Sequence, residues 1–275
     1  MLASIGNQRT DGLRHETLVV DSGSTDRTKE IAAQHGCRIL TITKDEFSFG
    51  RSLNIGCQAA LGRYLVFISG HCIPNDDSWL RTLLRPLVEG RVSFAYGRQI
   101  GGNGSRFSEC RIFEKYFPKE SRIPQEGFFC NNANSAMPKE LWERHRFDEE
   151  LTGLEDMALG KQLTAQGMKL GYVAEAPVLH LHDESWSRIR TRYEREAFAL
   201  QHIMPEIQLS FADFLRYFAS ALLHDCGDAL QRKTLSTTFP EILMYRLMQY
   251  WGAYRGNHAH RAVSRQRKEH YFYPR

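Results

Sequence analysis

Between residues 17 and 97, short apolar runs alternate with segments of helical pattern, and this alternation limits the fold more than any other feature of the chain. Thr17-Leu18-Val19-Val20 is a β-branched run ending at Asp21. Residues 26–34 carry a helical pattern that opens on a polar cap and stops at Gly36. Residues 38–42 follow as a strand, 51–61 as a helix stopped by Gly62, 64–69 (YLVFIS) as an almost wholly apolar strand, 77–87 as a helix and 92–97 as another strand. Apolar runs without polar alternation belong to strands covered on both faces, and strands separated by helices run parallel. The pattern predicts an α/β fold with a mainly parallel sheet flanked by helices.

Beyond this region the signal changes. Residues 100–135 are rich in Gly, Asn and Ser and read as a loop-rich insertion with one helix over 108–117. Helices are expected over 138–145 and 157–166, with a short strand at 171–174. From 185 the pattern is helical, over 187–203, 211–231 and 240–254, and the basic tail after Gly256 reads as loose. The division expected is a domain over 1–184 and a helical extension over 185–275. The net charge of +4 is too small, and too evenly spread, for a nucleic-acid partner. The six cysteines form no C-x-x-C pair, so they read as reduced, mostly buried thiols. No secretory leader pattern opens the chain, and no apolar run reaches the roughly 18 residues of a membrane span. These features point to a cytoplasmic setting.

In open parallel sheets, ligands collect at the carboxyl ends of the strands. After the first strand comes Asp21-Ser22-Gly23-Ser24-Thr25-Asp26, with two carboxylates and three hydroxyls on one strand-to-helix turn. Asp21 could accept hydrogen bonds from a base or ribose; the same residues also suit a capped turn. After the third strand comes Ser69-Gly70-His71-Cys72, where His71 could meet a metal or diphosphate, or serve the fold alone. Gly153-Leu154-Glu155-Asp156 opens a helix with two acids, stabilised by its dipole or offering a general base. Val178-Leu179-His180-Leu181-His182 sets two histidines on one face of a strand-like run, either as metal ligands or as a half-buried pair.

Each element is ambiguous alone, but their order is not. The series DSGSTD, FGRSLNIG, FISGHCIP, CNNANSA, GLEDMALGKQL and HLH over residues 1–200 resembles family 2 of the glycosyltransferases. The resemblance implies the GT-A, Rossmann-like fold and an inverting sugar transfer from a nucleotide-sugar donor to a glycan or lipid-linked acceptor, in bacterial cell-surface polysaccharide biosynthesis. It implies that Asp21, Ser22, Ser24 and Asp26 form the nucleoside turn, and that Arg51 and Asn54 line the donor site. Ser69 and His71 then stand where the family carries a D-x-D-like pair. Asn131 and Asn134 would shape the sugar and acceptor sites, with Asp156 as general base and Glu155 beside it. His71, together with His180 or His182 as the family's late histidine, would be ligands of a divalent cation, magnesium or manganese, or contacts of the diphosphate, although Ser69 is a poor ligand and puts metal use in question. The SGHCIP and YGRQ stretches resemble rhamnosyltransferase-like members.

The family's opening strand and Pro-Thr-Tyr-Asn-like segment have no counterpart here. Residues 1–5 read as the end of the helix that follows them, which implies a sheet without its first strand and a weakly active chain. The competing readings are a non-catalytic nucleotide-sugar-binding homologue, supported by Ser69 and His71, and a nucleotidyltransferase, whose Gly-rich basic loop is not seen. The arginine-rich helix over 187–203 and the apolar stripe Phe211, Phe214, Leu215, Phe218, Leu222 and Leu223 are expected to pack on the domain. Their alternative is peripheral contact with anionic lipid at the inner face of the plasma membrane.

Overall fold

A computed structural model describes residues 1–259 and 271–273, so most of the tail expected to be loose lies outside the described residues. The elements in order are α1 (Leu2–Gly6), β1 (Leu18–Asp21), α2 (Thr28–Gln34), β2 (Arg38–Thr41), α3 (Phe49–Ala59), β3 (Tyr64–Ile68), β4 (Cys72–Pro74), α4 (Trp79–Val88) and β5 (Phe94–Gly101). They continue with α5 (Phe107–Tyr116), β6 (Asn134–Pro138), α6 (Lys139–Arg144), α7 (Glu155–Ala165), β7 (Leu170–His180), α8 (Trp186–Ile203), α9 (Phe211–Gln231) and α10 (Leu235–Asn257). The chain divides into two compact units. One comprises residues 1–102, 116–150 and 155–181; the other comprises 103–115, 151–154 and 182–275.

The α/β architecture expected from the sequence is present in the first unit. β1 and β2 pair in parallel as a two-stranded sheet, and a five-stranded sheet has the order β3-β6-β5-β7-β4. Its pairings are mixed rather than mainly parallel: β5 and β7 run parallel, whereas β3–β6, β5–β6 and β4–β7 are antiparallel. Among the described residues β1 pairs only with β2, and β3 only with β6. β3 buries Leu65 and Phe67 in alternation, as a strand with period-two patterning must. α4 buries Trp79, Leu80, Leu83, Leu84 and Leu87 against Ala95, Ala136, Val173, Ala176 and Val178 of the sheet. Each such side chain contributes about 1.5–3 kcal/mol on burial.

β7 extends well past the expected strand at 171–174. Pro177 sits inside it, where a proline removes a ladder donor. The ladder to β5 is interrupted at that point: Gly97 pairs with Val173, and the next partner, Gln99, pairs with Val178. The extra residues of β7 bulge there, so Pro177 costs no pairing, and the strand runs on to His180. Gly97 lies at the same break. A Cβ at this position would collide with the Asn134 amide and the Ala176 carbonyl.

The second unit is helical. α8 and α10 approach closely through Gly252 and Gly256, where a Cβ would meet the Arg190 and Glu194 carbonyls. Asp225 is fully buried and accepts two hydrogen bonds from Arg246, at 2.7 and 2.8 Å, and one from the Ser108 hydroxyl at 2.6 Å. Phe214 packs on Trp251 and Tyr254, while Phe211, Leu215 and Leu223 of the same helix stay exposed. The apolar stripe read from the sequence is therefore only partly a packing face. Among the described residues no helix is long and apolar enough to cross a membrane.

Gly97→Ala is expected to lower the stability of the first unit by about 1–3 kcal/mol through overpacking. Gly227→Ala, on an open face of α9 with nothing near the added carbon, is expected to leave stability unchanged or raise it by up to about 1 kcal/mol. Thermal or urea melts of the two variants check the contrast.

Candidate active site

The DSGSTD segment is a self-closed turn at the end of β1. Asp21 is buried, and its carboxylate accepts from the Gly23 N–H at 3.1 Å and the Ser24 N–H at 3.2 Å. Gly23 takes a φ of 95°, which a residue with a Cβ adopts only at a cost. Burial works against the charged form, but hydrogen bonds from the Ser24 side chain and from the Gly23 and Ser24 N–H groups hold Asp21 below the usual carboxylate range. Ser22 lies half-buried in the same turn. Asp26 accepts from the Thr28 N–H at 3.0 Å and from its hydroxyl at 2.6 Å, which starts α2. Arg51 stands in the first turn of α3, half-exposed, 3.6 Å from Glu46.

Two residues expected to meet ligand are spent inside the protein. Asn54 donates to the Phe147 carbonyl at 2.9 Å and to Glu149 at 2.8 Å, and it accepts from the Trp142 indole at 2.9 Å and the Phe147 N–H at 3.1 Å. Asn134, with no exposed surface, donates to the Arg98 and Ala176 carbonyls at 3.1 and 2.8 Å and accepts from the Trp79 indole at 3.0 Å. Both amides have their two N–H groups engaged within the fold, and both carbonyls accept from an indole. Asn54 and Asn134 brace the fold through these bonds.

The segment 130–135 joins two other groups. The Asn132 N–H donates to Asp156 at 2.7 Å, and the Cys130 thiol donates to the Asp156 carbonyl at 3.1 Å. Asp156 also accepts from the Met157 N–H at 2.7 Å, inside the first turn of α7, where Glu155 is its buried neighbour. Leu154, just before α7, holds a φ of 58°, a conformation seldom taken by a branched side chain. Burial pushes the Cys130 thiol well up, and the Asp156 and Glu155 charges add to this. Burial also pushes the Cys57 and Cys72 thiols up to about 12. These three thiols are neutral and unsuited to nucleophilic work.

On the other side of the segment, Asn131 accepts from the Gln99 side chain at 2.8 Å, and Gln99 meets His180 Nδ1 at 2.6 Å. His180 Nε2 lies 2.8 Å from His71 Nε2, with ring centroids 4.7 Å apart. Ser69 shapes the tight turn between β3 and β4: its N–H donates to the Ala133 carbonyl at 3.2 Å and its carbonyl accepts from Cys72 at 2.9 Å. That turn leaves His71 exposed above the buried His180. Two imidazole nitrogens converging from a turn and from the end of β7, one backed by a hydrogen-bonded amide, fit a divalent cation that accepts nitrogen donors. The serine hydroxyl adds little to such a site. His182 belongs to the second unit, where its Nδ1 lies 2.6 Å from Glu109, and Glu109 and Glu184 both pair with Arg192.

Gln99, Asn132 and Cys130 were not singled out from the sequence. Gln99 lay beyond the expected end of its strand, and Asn132 acts through its backbone, which no residue type announces. The run CNNANSA was the available signal for the segment as a whole.

The model for "Glycosyl transferase family 2" matches residues 1–145. The O-antigen chain rhamnosyltransferase WbaN of Salmonella anatum is 26% identical over 254 residues, covering 86% of this chain and 80% of that protein. The O-antigen chain rhamnosyltransferase RfbN of Salmonella typhimurium is 23% identical over 266 residues, covering 88% of this chain and 84% of that protein. Among solved structures, the mannosyltransferase PcManGT from Pyrobaculum calidifontis, in complex with GDP-Man and Mn2+, aligns with a TM-score of 0.66 at 14% identity, over 94% of this chain and 83% of that one. TarS 1-349 of S. aureus, in complex with UDP, aligns at a TM-score of 0.53 and 14% identity, over 99% of this chain and 86% of that one. With the family model matching more than half of its length, the chain belongs to glycosyl transferase family 2.

Proposed function

We propose that this chain is an inverting glycosyltransferase that moves a deoxyhexose, rhamnose by its likeness to the two O-antigen enzymes, from a nucleotide-sugar donor to a growing glycan or lipid-linked acceptor of a cell-surface polysaccharide. One observation carries the reading. The acid Asp156 and the His71–His180 pair are tied to the same six-residue segment, 130–135, so a base and a seat for diphosphate charge are held in fixed register.

Asp156 is the general base. Its two oxygens accept the Asn132 and Met157 backbone N–H groups, which aim the carboxylate, and as base it would take the acceptor hydroxyl proton as that oxygen attacks the anomeric carbon. Glu155 stands beside it and assists in orienting the acceptor. The Asp21 turn, with Ser22, Ser24 and Asp26, receives the nucleoside. Arg51, half-exposed and 3.6 Å from Glu46, can lend positive charge to the donor. Asn131 lies between the acid and the histidines and borders the transferred sugar. His71 and His180 would hold a divalent cation, manganese or magnesium, which when bound offsets the charge of the departing nucleoside diphosphate. The nitrogen donors favour manganese of the two. The exposed Phe211, Leu215 and Leu223 of α9 support peripheral contact with a membrane that carries the acceptor.

Asp156→Asn is expected to lower kcat about 10²–10⁴-fold while nucleotide binding is retained, measured as nucleoside diphosphate release. Equal loss of binding and turnover would assign Asp156 to the fold instead. Chelation is expected to lower activity, and manganese to restore it better than magnesium. Full activity in chelator removes the cation from the reading, and nucleotide binding without turnover under every condition favours a non-catalytic homologue.

A further inference from the structure

The positions of the protons along the line Asn131–Gln99–His180–His71 follow from one fixed donor. The Ala133 backbone N–H donates to the Asn131 side chain at 2.9 Å, and a backbone N–H can only donate. The accepting atom is therefore the Asn131 carbonyl oxygen. The Gln99 atom 2.8 Å from that oxygen must then be its NH2 group, which turns the Gln99 carbonyl oxygen toward His180. A carbonyl only accepts, so His180 Nδ1, 2.6 Å away, carries a hydrogen. In the neutral ring this leaves Nε2 bare, and Nε2 is the atom that faces His71 at 2.8 Å.

The fold makes this line rigid. Gly101 of β5 pairs directly with His180 of β7, and Gln99 lies two residues earlier on the same face of its strand. Gln99 is 2% exposed and His180 7%, so water cannot readily replace the amide. A histidine binds a cation through a bare ring nitrogen, and the hydrogen bond of its other nitrogen selects which one that is.

We propose that Gln99 is a positioning residue that locks His180 in the tautomer with its proton on Nδ1, so that Nε2 presents a lone pair toward His71. The consequence for metal rests on the cation reading above: with His180 pre-set, only His71 must turn its own Nε2 proton away for two lone pairs to converge. A side chain at position 99 that cannot accept leaves His180 free to protonate Nε2, which closes the seat. Asn131, which orients Gln99, then acts on the histidines through it.

The test is long-range nitrogen–proton NMR of histidine-labelled protein, without added cation and above the titration range of imidazole, with the His180 signals assigned through His180→Gln. The wild-type protein is expected to hold the proton on Nδ1 and a bare Nε2. Gln99→Leu is expected to move a large share of the proton to Nε2. Manganese affinity, read from the free-ion EPR signal, is expected to fall about 10–100-fold in Gln99→Leu. A wild-type His180 protonated on Nε2, or an unchanged tautomer in Gln99→Leu, overturns the proposal. If Gln99→Leu does not fold, the wild-type spectrum alone decides. The expected tautomers in protein that binds no manganese would support the role of Gln99 and sink the cation reading separately.

Discussion

The hydrogen bonds of residues 130–135 are the constraint on which the rest of the site depends. This short stretch leads into β6, the strand that lies between β3 and β5, and its polar groups point three ways. Asn132 and Cys130 grip Asp156, Asn131 grips Gln99, and Asn134 fills the break between β5 and β7, donating to a carbonyl on each strand. A buried polar group without a partner costs about 1–3 kcal/mol, so each of these contacts is costly to lose and the segment has little freedom to adopt another path. The same bonds that satisfy the core therefore fix the distance between an acid and a histidine pair. Preorganisation of this kind lets a site act without rearranging as charge develops.

Much of this was legible from residues 17–97. Apolar runs between helical patterns gave the right elements, since a buried strand and an amphipathic helix differ in period and leave that difference in the sequence. The sheet's pairing was not legible. β6 begins in a Gly- and Asn-rich stretch that reads as loop, and it enters the sheet antiparallel to both of its neighbours. β4 is only three residues long, too short to carry a period. β7 looked short because Glu175 and Pro177 interrupt it, and only the bulge opposite Gly97 and Gln99 lets the strand continue to His180.

The candidate site was legible in part. Residue type singled out Asp21, Asp156, His71 and His180, and the structure sets His71 beside His180 and ties Asp156 to the 130–135 segment. Type alone could not separate a ligand-facing asparagine from a strut. Asn54 and Asn134 sit among the expected site residues in sequence, yet their amides serve indoles and carbonyls within the fold. Asn132 meets Asp156 through its backbone N–H while its side chain accepts from the Ser135 hydroxyl, and Gln99 acts through another residue. The place of His182 depended on which compact unit its segment joined, a tertiary fact that the spacing of two histidines does not encode.

His71 and His180 offer imidazole nitrogen rather than carboxylate oxygen, which weakens attraction for hard cations and makes ring orientation decisive. The central claim is that this chain still receives a nucleoside diphosphate between the Asp21 turn and a cation-bearing histidine pair. The most direct measurement is a thermal-shift titration of the full chain with UDP, GDP, dTDP and CMP, each with and without manganese. The account predicts that one nucleotide stabilises the protein, by about 2.7 kcal/mol at a hundred times its Kd, and that manganese strengthens the effect. No stabilisation by any nucleotide, with manganese present or absent, would contradict it.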